Sequence, residues 1–281
     1  MLEVECGEHS LSGEPRPSPA GHFRAYLANT HISEAERSRA LNYWLDLLLR
    51  LPDSPPSSGR VRGKRATVTW KGRPLSECLQ ACRRARWSPF MALLAAEALL
   101  LAQFAQRNEV VLNTPFSNRV TDQERSLLAN LAILVHLPIQ LLPEESVQQF
   151  RDRLRRLVIV SMAHRNHDPW ELSVELARAA AAKLETLRLV TGCNFVKSPV
   201  ASRLGERLSL ERLLPFSLRP GTFVVTCEDT DQRFELELLW DPETWPLTDG
   251  SELFSAFRLI TRSDGSRLMG ELLATPPRPQ R

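Results

Sequence analysis

Two hydrophobic periods run through the chain, and they alternate. Leu41, Trp44, Leu45, Leu48 and Leu49 recur at steps of three and four, which predicts a helix from Phe23 to Leu51. Ser33 followed by Glu36 fits a capping box at its start. Three prolines and three serines between Pro52 and Gly59 then break it. Ala66 to Trp70 reads as a short strand and Ser76 to Arg86 as a helix. Ser88-Pro89 supplies an N-cap and a proline at the first helical position of a segment running to Arg107. That segment is apolar almost all round, so the helix should be buried.

Strand signals follow. Val110-Val111-Leu112 is continuously apolar and predicts a strand over 109–113. Thr121 to Ala129 reads as a short helix, and Leu131 to Leu141 as a strand with Pro138 at an edge or bulge. Val147 to Ala163 is amphipathic, and Asp168-Pro169 opens a further helix to about Leu184. Leu187 to Val196 reads as a strand. Phe223–Cys227 and Arg233–Trp240 read as a hairpin, with Phe234, Leu236 and Leu238 alternating against Glu235 and Glu237. Leu247 to Arg262 is the last helix. The mixed order predicts a single α/β domain, one mixed sheet flanked by helices. Its expected bounds are 23–273, between a Gly/Ser/Pro-rich lead-in (1–22) and a disordered Pro/Arg-rich tail (274–281).

Composition narrows the function classes. With 43% hydrophobic and 25% charged residues the chain is an ordinary globular one, and its 281 residues can bury a core without staples. A net charge of +3 gives no reason to expect nucleic acid. Arg151, Arg153, Arg155 and Arg156 read as the solvated side of a helix. No apolar run is long enough to suggest a membrane span, and the N-terminus has no leader pattern, so a cytoplasmic protein is expected. The cysteines Cys6, Cys78, Cys82, Cys193 and Cys227 form no CxxC pair, and reduced thiols are the simpler reading than a metal site.

Several segments, in order, resemble the second half of the nonribosomal peptide synthetase condensation domain. They are Leu41-Asn-Tyr-Trp-Leu-Asp-Leu-Leu, with Tyr43 and Trp44, and the long apolar segment from Ser88. Next come Glu109-Val-Val-Leu-Asn-Thr-Pro, with Pro115 and the following Arg119, and Leu128-Ala-Asn-Leu-Ala-Ile-Leu-Val-His. The fourth is Ala163-His-Arg-Asn-His-Asp-Pro-Trp-Glu-Leu, with His164, Asp168 and Pro169. Weaker likenesses are Cys193-Asn-Phe and Leu239-Trp-Asp-Pro-Glu-Thr-Trp. Asn113 and Ala129 stand where the family has glycine, and His136 where it has asparagine.

The resemblance implies one lobe of the chloramphenicol-acetyltransferase type, the C-terminal lobe of a V-shaped pair. It implies work on substrates held as phosphopantetheine thioesters on a partner carrier protein, with no cofactor bound to the chain itself. The family's His-His-x-x-x-Asp-Gly motif belongs to the other lobe, and this sequence has no His-His pair. Three arrangements are open: a separate N-terminal-lobe subunit that completes the enzyme, a homodimer, or a non-catalytic recruitment module. A lone lobe should expose an apolar flank, and each arrangement is a way to use or cover it. His136 is the candidate for a replacement base, and Asn194 and His136 are candidates for the acceptor side. A Cys nucleophile is the remaining route to a self-sufficient acyltransferase. His164 and His167 invite a catalytic reading through their i, i+3 spacing, but local capping is the simpler role. Tyr43, Trp44, Pro115, Arg119, His164, Asp168 and Pro169 are expected to be structural.

Overall fold

A computed structural model describes residues 32–51, 61–116, 119, 121–122, 124, 131–180, 191–197, 217–218, 220–229 and 233–275. The elements in chain order are α1 (Glu34–Arg50), β1 (Val61–Arg62), β2 (Lys64–Lys71), α2 (Gly72–Arg84), α3 (Pro89–Ala105), β3 (Glu109–Phe116), β4 (Ile133–Gln140), α4 (Val147–Ala163) and α5 (Pro169–Ala179). They continue with β5 (Thr191–Lys197), β6 (Ser217–Leu218), β7 (Phe223–Asp229), β8 (Arg233–Trp240), α6 (Ser251–Arg262) and α7 (Met269–Leu273).

Six strands form a mixed sheet in the order β2-β8-β7-β5-β3-β4, and β1 pairs separately with β6. The pairs β2–β8, β8–β7 and β3–β4 are antiparallel, while β7–β5 and β5–β3 are parallel. Alternation along each strand gives the sheet two unlike faces. One carries Leu112, Leu137, Cys193, Val225, Cys227, Leu236 and Phe234, all at most 1% exposed. The other carries Asn113, His136 and Asn194, then Thr226, Glu237 and Arg65 toward β2. There Arg65 lies diagonally across from Glu237, which faces Thr67, and the two form an ion pair.

The apolar face is closed by α2, α3 and α6. Ser88 starts α3 by accepting a bond from the Met91 N–H at 3.2 Å, and Pro89 follows at the first helical position. From Ala92 to Ala102 every residue is buried, which is why the segment shows no polar stripe. The helix α6 begins four residues later than the hydrophobic pattern suggests. Gly250 holds φ +84°, and the Glu252 carboxylate accepts from the Thr248 and Gly250 N–H groups at 2.7 and 3.1 Å. The positive φ favours glycine, and a Cβ there would also lie a tight 3.1 Å from Leu238 Cδ2.

The described boundaries correct several expectations. Strand β3 runs on to Phe116, and α2 starts at Gly72. Ala274 and Thr275, assigned to the tail, are bonded to α7 through Gly270 O and Leu272 O, and the Gln103 side chain donates to Thr275 O at 2.6 Å. Arg151 and Arg153 are not simply solvated: they bond Ala85 O at 2.8 Å and the Glu145 carboxylate at 2.6 Å. The lead-in 1–22, residues 276–281 of the tail and most of the expected 121–129 helix lie outside the described residues. Of that helix, Thr121 and Glu124 are seen exchanging the two bonds of a capping box.

Glu97 is the exception in the core. It sits on α3, fully buried, and neither carboxylate oxygen makes a hydrogen bond of normal geometry. Burial pushes its pKa well above the ordinary 4.5, against a smaller opposing influence of the Cys193 thiol. The folded chain therefore keeps a proton that the unfolded chain releases above about pH 4.5, so this group's contribution to stability falls as pH rises. Glu97→Leu should raise stability by about 1–3 kcal/mol, with a larger gain at pH 8 than at pH 5, measured by urea unfolding at both.

Candidate functional site

The polar face of the sheet is covered at its β3–β4 edge, and there the chemistry-bearing side chains gather. Antiparallel register sets Asn113 opposite His136. Both are buried, and His136 Nδ1 lies 2.6 Å from Asn113 Oδ1. The Asn113 amide is oriented by its other end, because Nδ2 donates to the Thr191 carbonyl at 3.1 Å. Its oxygen is thus the acceptor, His136 Nδ1 carries the proton, and Nε2 holds the lone pair.

Trp44, on α1, closes this pair from outside the sheet. Its ring is fully buried and meets His136 edge-on at 5.6 Å between centroids, with His167 also at 5.6 Å. The indole N–H donates to the His164 carbonyl at 2.8 Å. Tyr43, the next residue, stacks on the His164 ring at 4.0 Å, and its hydroxyl is 3.5 Å from Ser161 Oγ. His164 ends α4, with Nδ1 bonded to Val160 O at 2.9 Å. Asp168 caps α5, accepting from the Trp170 N–H at 2.8 Å, with Pro169 behind it. Asn166 ties the corner to α1 through Glu36 Oε1 at 2.7 Å.

Electrostatics follow from this burial. Loss of solvent, and secondarily the neighbouring His167, bring the His136 pKa down from 6.5 to about 3. The His167 pKa is also lowered, by burial first, with bonds at His164 and Arg165 and the charge of Asp168 opposing. His167 Nδ1 is buried without a hydrogen-bond partner. Both rings are neutral at neutral pH. A base with a pKa about 3 is poorly matched to proton abstraction near pH 7. As it stands here, the cluster packs and orients.

Of the residues singled out in the sequence, Tyr43, Trp44, His136, His164, Asp168 and Pro169 meet at this corner. Asn194 is half-buried on β5, on the same sheet face and two residues beyond Gly192, which pairs with Asn113. Pro115 and Arg119 lie at and beyond the end of β3. Arg119 donates to the Glu124 carbonyl. Asn113, Ser161 and the packing role of His167 were not anticipated. Finding Asn113 needed the β3–β4 register, since its partner is 23 residues away. Cys193 and Cys227 are fully buried, and burial raises the Cys193 pKa, so neither is poised as a nucleophile. Among the described residues no group of three or more His, Cys, Asp or Glu side chains could hold a metal ion, and no single helix is long and apolar enough to cross a membrane.

Comparison with known proteins matches this geometry to one fold. The first condensation domain of the calcium-dependent antibiotic synthetase, in complex with a substrate analogue, superposes with a TM-score of 0.62 at 16% identity. The match covers 90% of this chain and 55% of that one. The cyclization-docking bidomain of EpoB from Sorangium cellulosum gives 0.61 at 15% identity, over 88% of this chain and 52% of that one. The chain has the condensation-domain fold and spans about half the length of these structures. In sequence, malpinin synthetase of Mortierella alpina is 28% identical over 162 residues, 57% of this chain and 2% of that protein. Pyochelin synthetase PchE of Pseudomonas aeruginosa is 32% identical over 135 residues, 44% of this chain and 9% of that protein. No family model matches the chain.

The histidine corner makes a pH-dependent prediction. His136 binds its proton about 3.5 pH units later in the fold than at its ordinary value, taking 6.5 and about 3 as the two limits. Its stabilising contribution is present above pH 6.5 and is lost as pH falls toward 3, at about 1.4 kcal/mol per pH unit. His136→Gln, which keeps a polar partner for Asn113, should flatten the fall in unfolding free energy between pH 6 and pH 4 by about one proton's slope. Chemical denaturation at half-unit pH steps reads it; parallel slopes in both proteins would contradict the buried neutral ring.

Proposed function

We propose that this chain serves nonribosomal peptide or related secondary-metabolite biosynthesis as a condensation-domain-like C-terminal lobe. In this reading it presents the acceptor side of an amide- or ester-forming acyl transfer, binds a phosphopantetheinyl carrier protein, and needs a partner for catalysis. The observation that carries the reading is the extent of the structural match: 90% of this chain, but 55% of a condensation domain. The sequence has no His-His pair, and among the described residues the buried sheet histidine, His136, is held neutral and hydrogen-bonded.

General-base catalysis contributes about 100- to 10,000-fold. Positioning of the two reactants contributes independently, up to roughly 7–11 kcal/mol in favourable cases. A lobe that lacks the base can still hold an acceptor in place, with Asn194 and the adjoining polar sheet face as the surface for it. In this reading the base comes from the other lobe. Trp170, 78% exposed at the start of α5, and Ile159, 57% exposed on α4, leave apolar surface for such a partner.

The test combines the purified chain with a separately expressed first lobe bearing the His-His motif, plus donor- and acceptor-loaded carrier proteins. Amide formation is expected when both lobes are present and not with either alone. Carrier binding by this chain should be measurable in the absence of the other lobe. Turnover by the isolated chain, lost on His136→Ala or on a single Cys→Ala change, would instead identify a self-sufficient acyltransferase. A stable homodimer without transfer in any combination would identify a recruitment module.

A further inference from the structure

Helix α1 covers the polar sheet face at the β3–β4 edge, and its side-chain ties converge on one short stretch of chain. The Trp44 indole donates to the His164 carbonyl at 2.8 Å, and Glu36 accepts from the Asn166 amide at 2.7 Å. The Tyr43 ring stacks on His164, and its hydroxyl lies 3.5 Å from Ser161 Oγ. These partners all fall within residues 161–166. Ala40, Leu41 and Leu48 add buried apolar surface to the helix. The Trp44 ring also meets two imidazoles, His136 on β4 and His167 in the α4–α5 turn, each at 5.6 Å between centroids.

Neither imidazole is placed to carry a charge. His136 is buried, and its Nδ1 is already engaged with Asn113 Oδ1 at 2.6 Å. His167 Nδ1 is buried with no hydrogen-bond partner, so a proton there would have no acceptor. The titratable groups around the pair come from three sides. From α1 they are Glu36 and Tyr43, and from the end of α4 and the turn His164 and Arg165. From the start of α5 it is Asp168. Arg165 brings further positive charge and donates to Met162 O at 3.2 Å. The two carboxylates are engaged, Glu36 with Asn166 and Asp168 with the Trp170 N–H at 2.8 Å.

The pH dependence of this corner runs opposite to that of the core. Burial lowers the pKa of both imidazoles, so their stabilising contribution is present above about pH 6.5 and is lost as pH falls. Burial raises the pKa of Glu97, on α3 against the apolar face, so its contribution is complete below about pH 4.5 and is lost as pH rises. Falling pH thus removes stability at the corner and none at Glu97.

We propose that the histidine corner is an acid-sensitive latch on α1. His167, 9% exposed against 4% for His136, takes the first proton, and His136 the second. The charged rings displace Trp44, and α1 leaves the sheet edge while the sheet keeps its cover of α2, α3 and α6. Release bares Asn113 and His136 and extends the half-exposed polar face that begins at Asn194. The latch is thus a local opening, set by two side chains, that precedes loss of the fold.

Hydrogen exchange of the full chain tests it, read by mass spectrometry at pH 7, 6, 5 and 4 and corrected for the intrinsic pH dependence of amide exchange. Protection of α1 should fall about tenfold per pH unit for each proton taken up, while α3 and β8 stay protected. In the His136→Gln/His167→Gln double variant that slope should vanish. Asn166→Ala removes a tie that does not titrate, and should lower α1 protection by one constant factor while keeping the slope. Loss of protection in α1 and α3 at the same pH, or an unchanged slope in the double variant, would overturn the proposal. The unsubstituted chain decides the first of these alone if the double variant does not fold.

Discussion

A sheet with one face of Leu, Val, Phe and Cys cannot stand in water, and the burial of that face governs the rest of the structure. The constraint explains why α3 is apolar all round: it is surrounded by strands below and helices beside it, so no side of it meets solvent. It fits the Gly250 turn before α6, which passes so close to β8 that a Cβ at Gly250 would lie 3.1 Å from Leu238 Cδ2. The opposite face has no such requirement across its whole width. Toward β2 it carries Arg65, Thr69, Glu235 and Glu237, joined in cross-strand pairs. Toward β4 it is covered by Trp44, and there Asn113 and His136 are buried.

Much of this was legible in the sequence because local signals agreed with the final packing. Helix α4 begins and ends where its amphipathic pattern does, since Ser146 and Gln149 form a reciprocal cap and His164 closes the other end. The β7–β8 hairpin follows its alternation residue by residue, with Phe234, Leu236 and Leu238 buried and Glu235 and Glu237 half-exposed. Pro138 sits on the edge strand β4, as a residue without an N–H should. The extension of β3 past Asn113 was not legible. Pro115 would end most central strands, but β3 pairs with β5 at a single position, Asn113 with Gly192, so little ladder remains there to disrupt.

The candidate site was legible in its members and not in its wiring. Tyr43, Trp44, His164 and Asp168 stand out as motif residues because each serves the same corner: two aromatic rings on α1, the end of α4 and the start of α5. The bond from the Trp44 indole to the His164 carbonyl spans 120 residues of sequence, and no local pattern encodes a partner so distant. The same holds for Asn113 and His136, whose pairing depends on the register of two strands joined by a long connection. Glu97 could be seen as a charge inside an apolar helix, yet its burial depends on cover supplied by strands far along the chain.

The chemistry turns on what a buried histidine can do. In this fold the His136 ring donates a hydrogen bond from Nδ1 to an asparagine oxygen, meets the Trp44 indole edge-on, and is close enough to His167 for that ring to lower its pKa further. Each contact holds the ring in place, and the burial that makes those contacts possible also removes its basicity. A general base requires the reverse: access to the substrate proton and a pKa near the working pH. Raising the His136 pKa toward neutrality would mean opening the corner to water. That would break the Trp44 cover that joins α1 to the α4–α5 turn. The packing of this corner and base catalysis by His136 are thus opposed physical demands on the same few side chains. A ring held this way is suited to packing and orienting its neighbours, not to moving a proton near neutral pH.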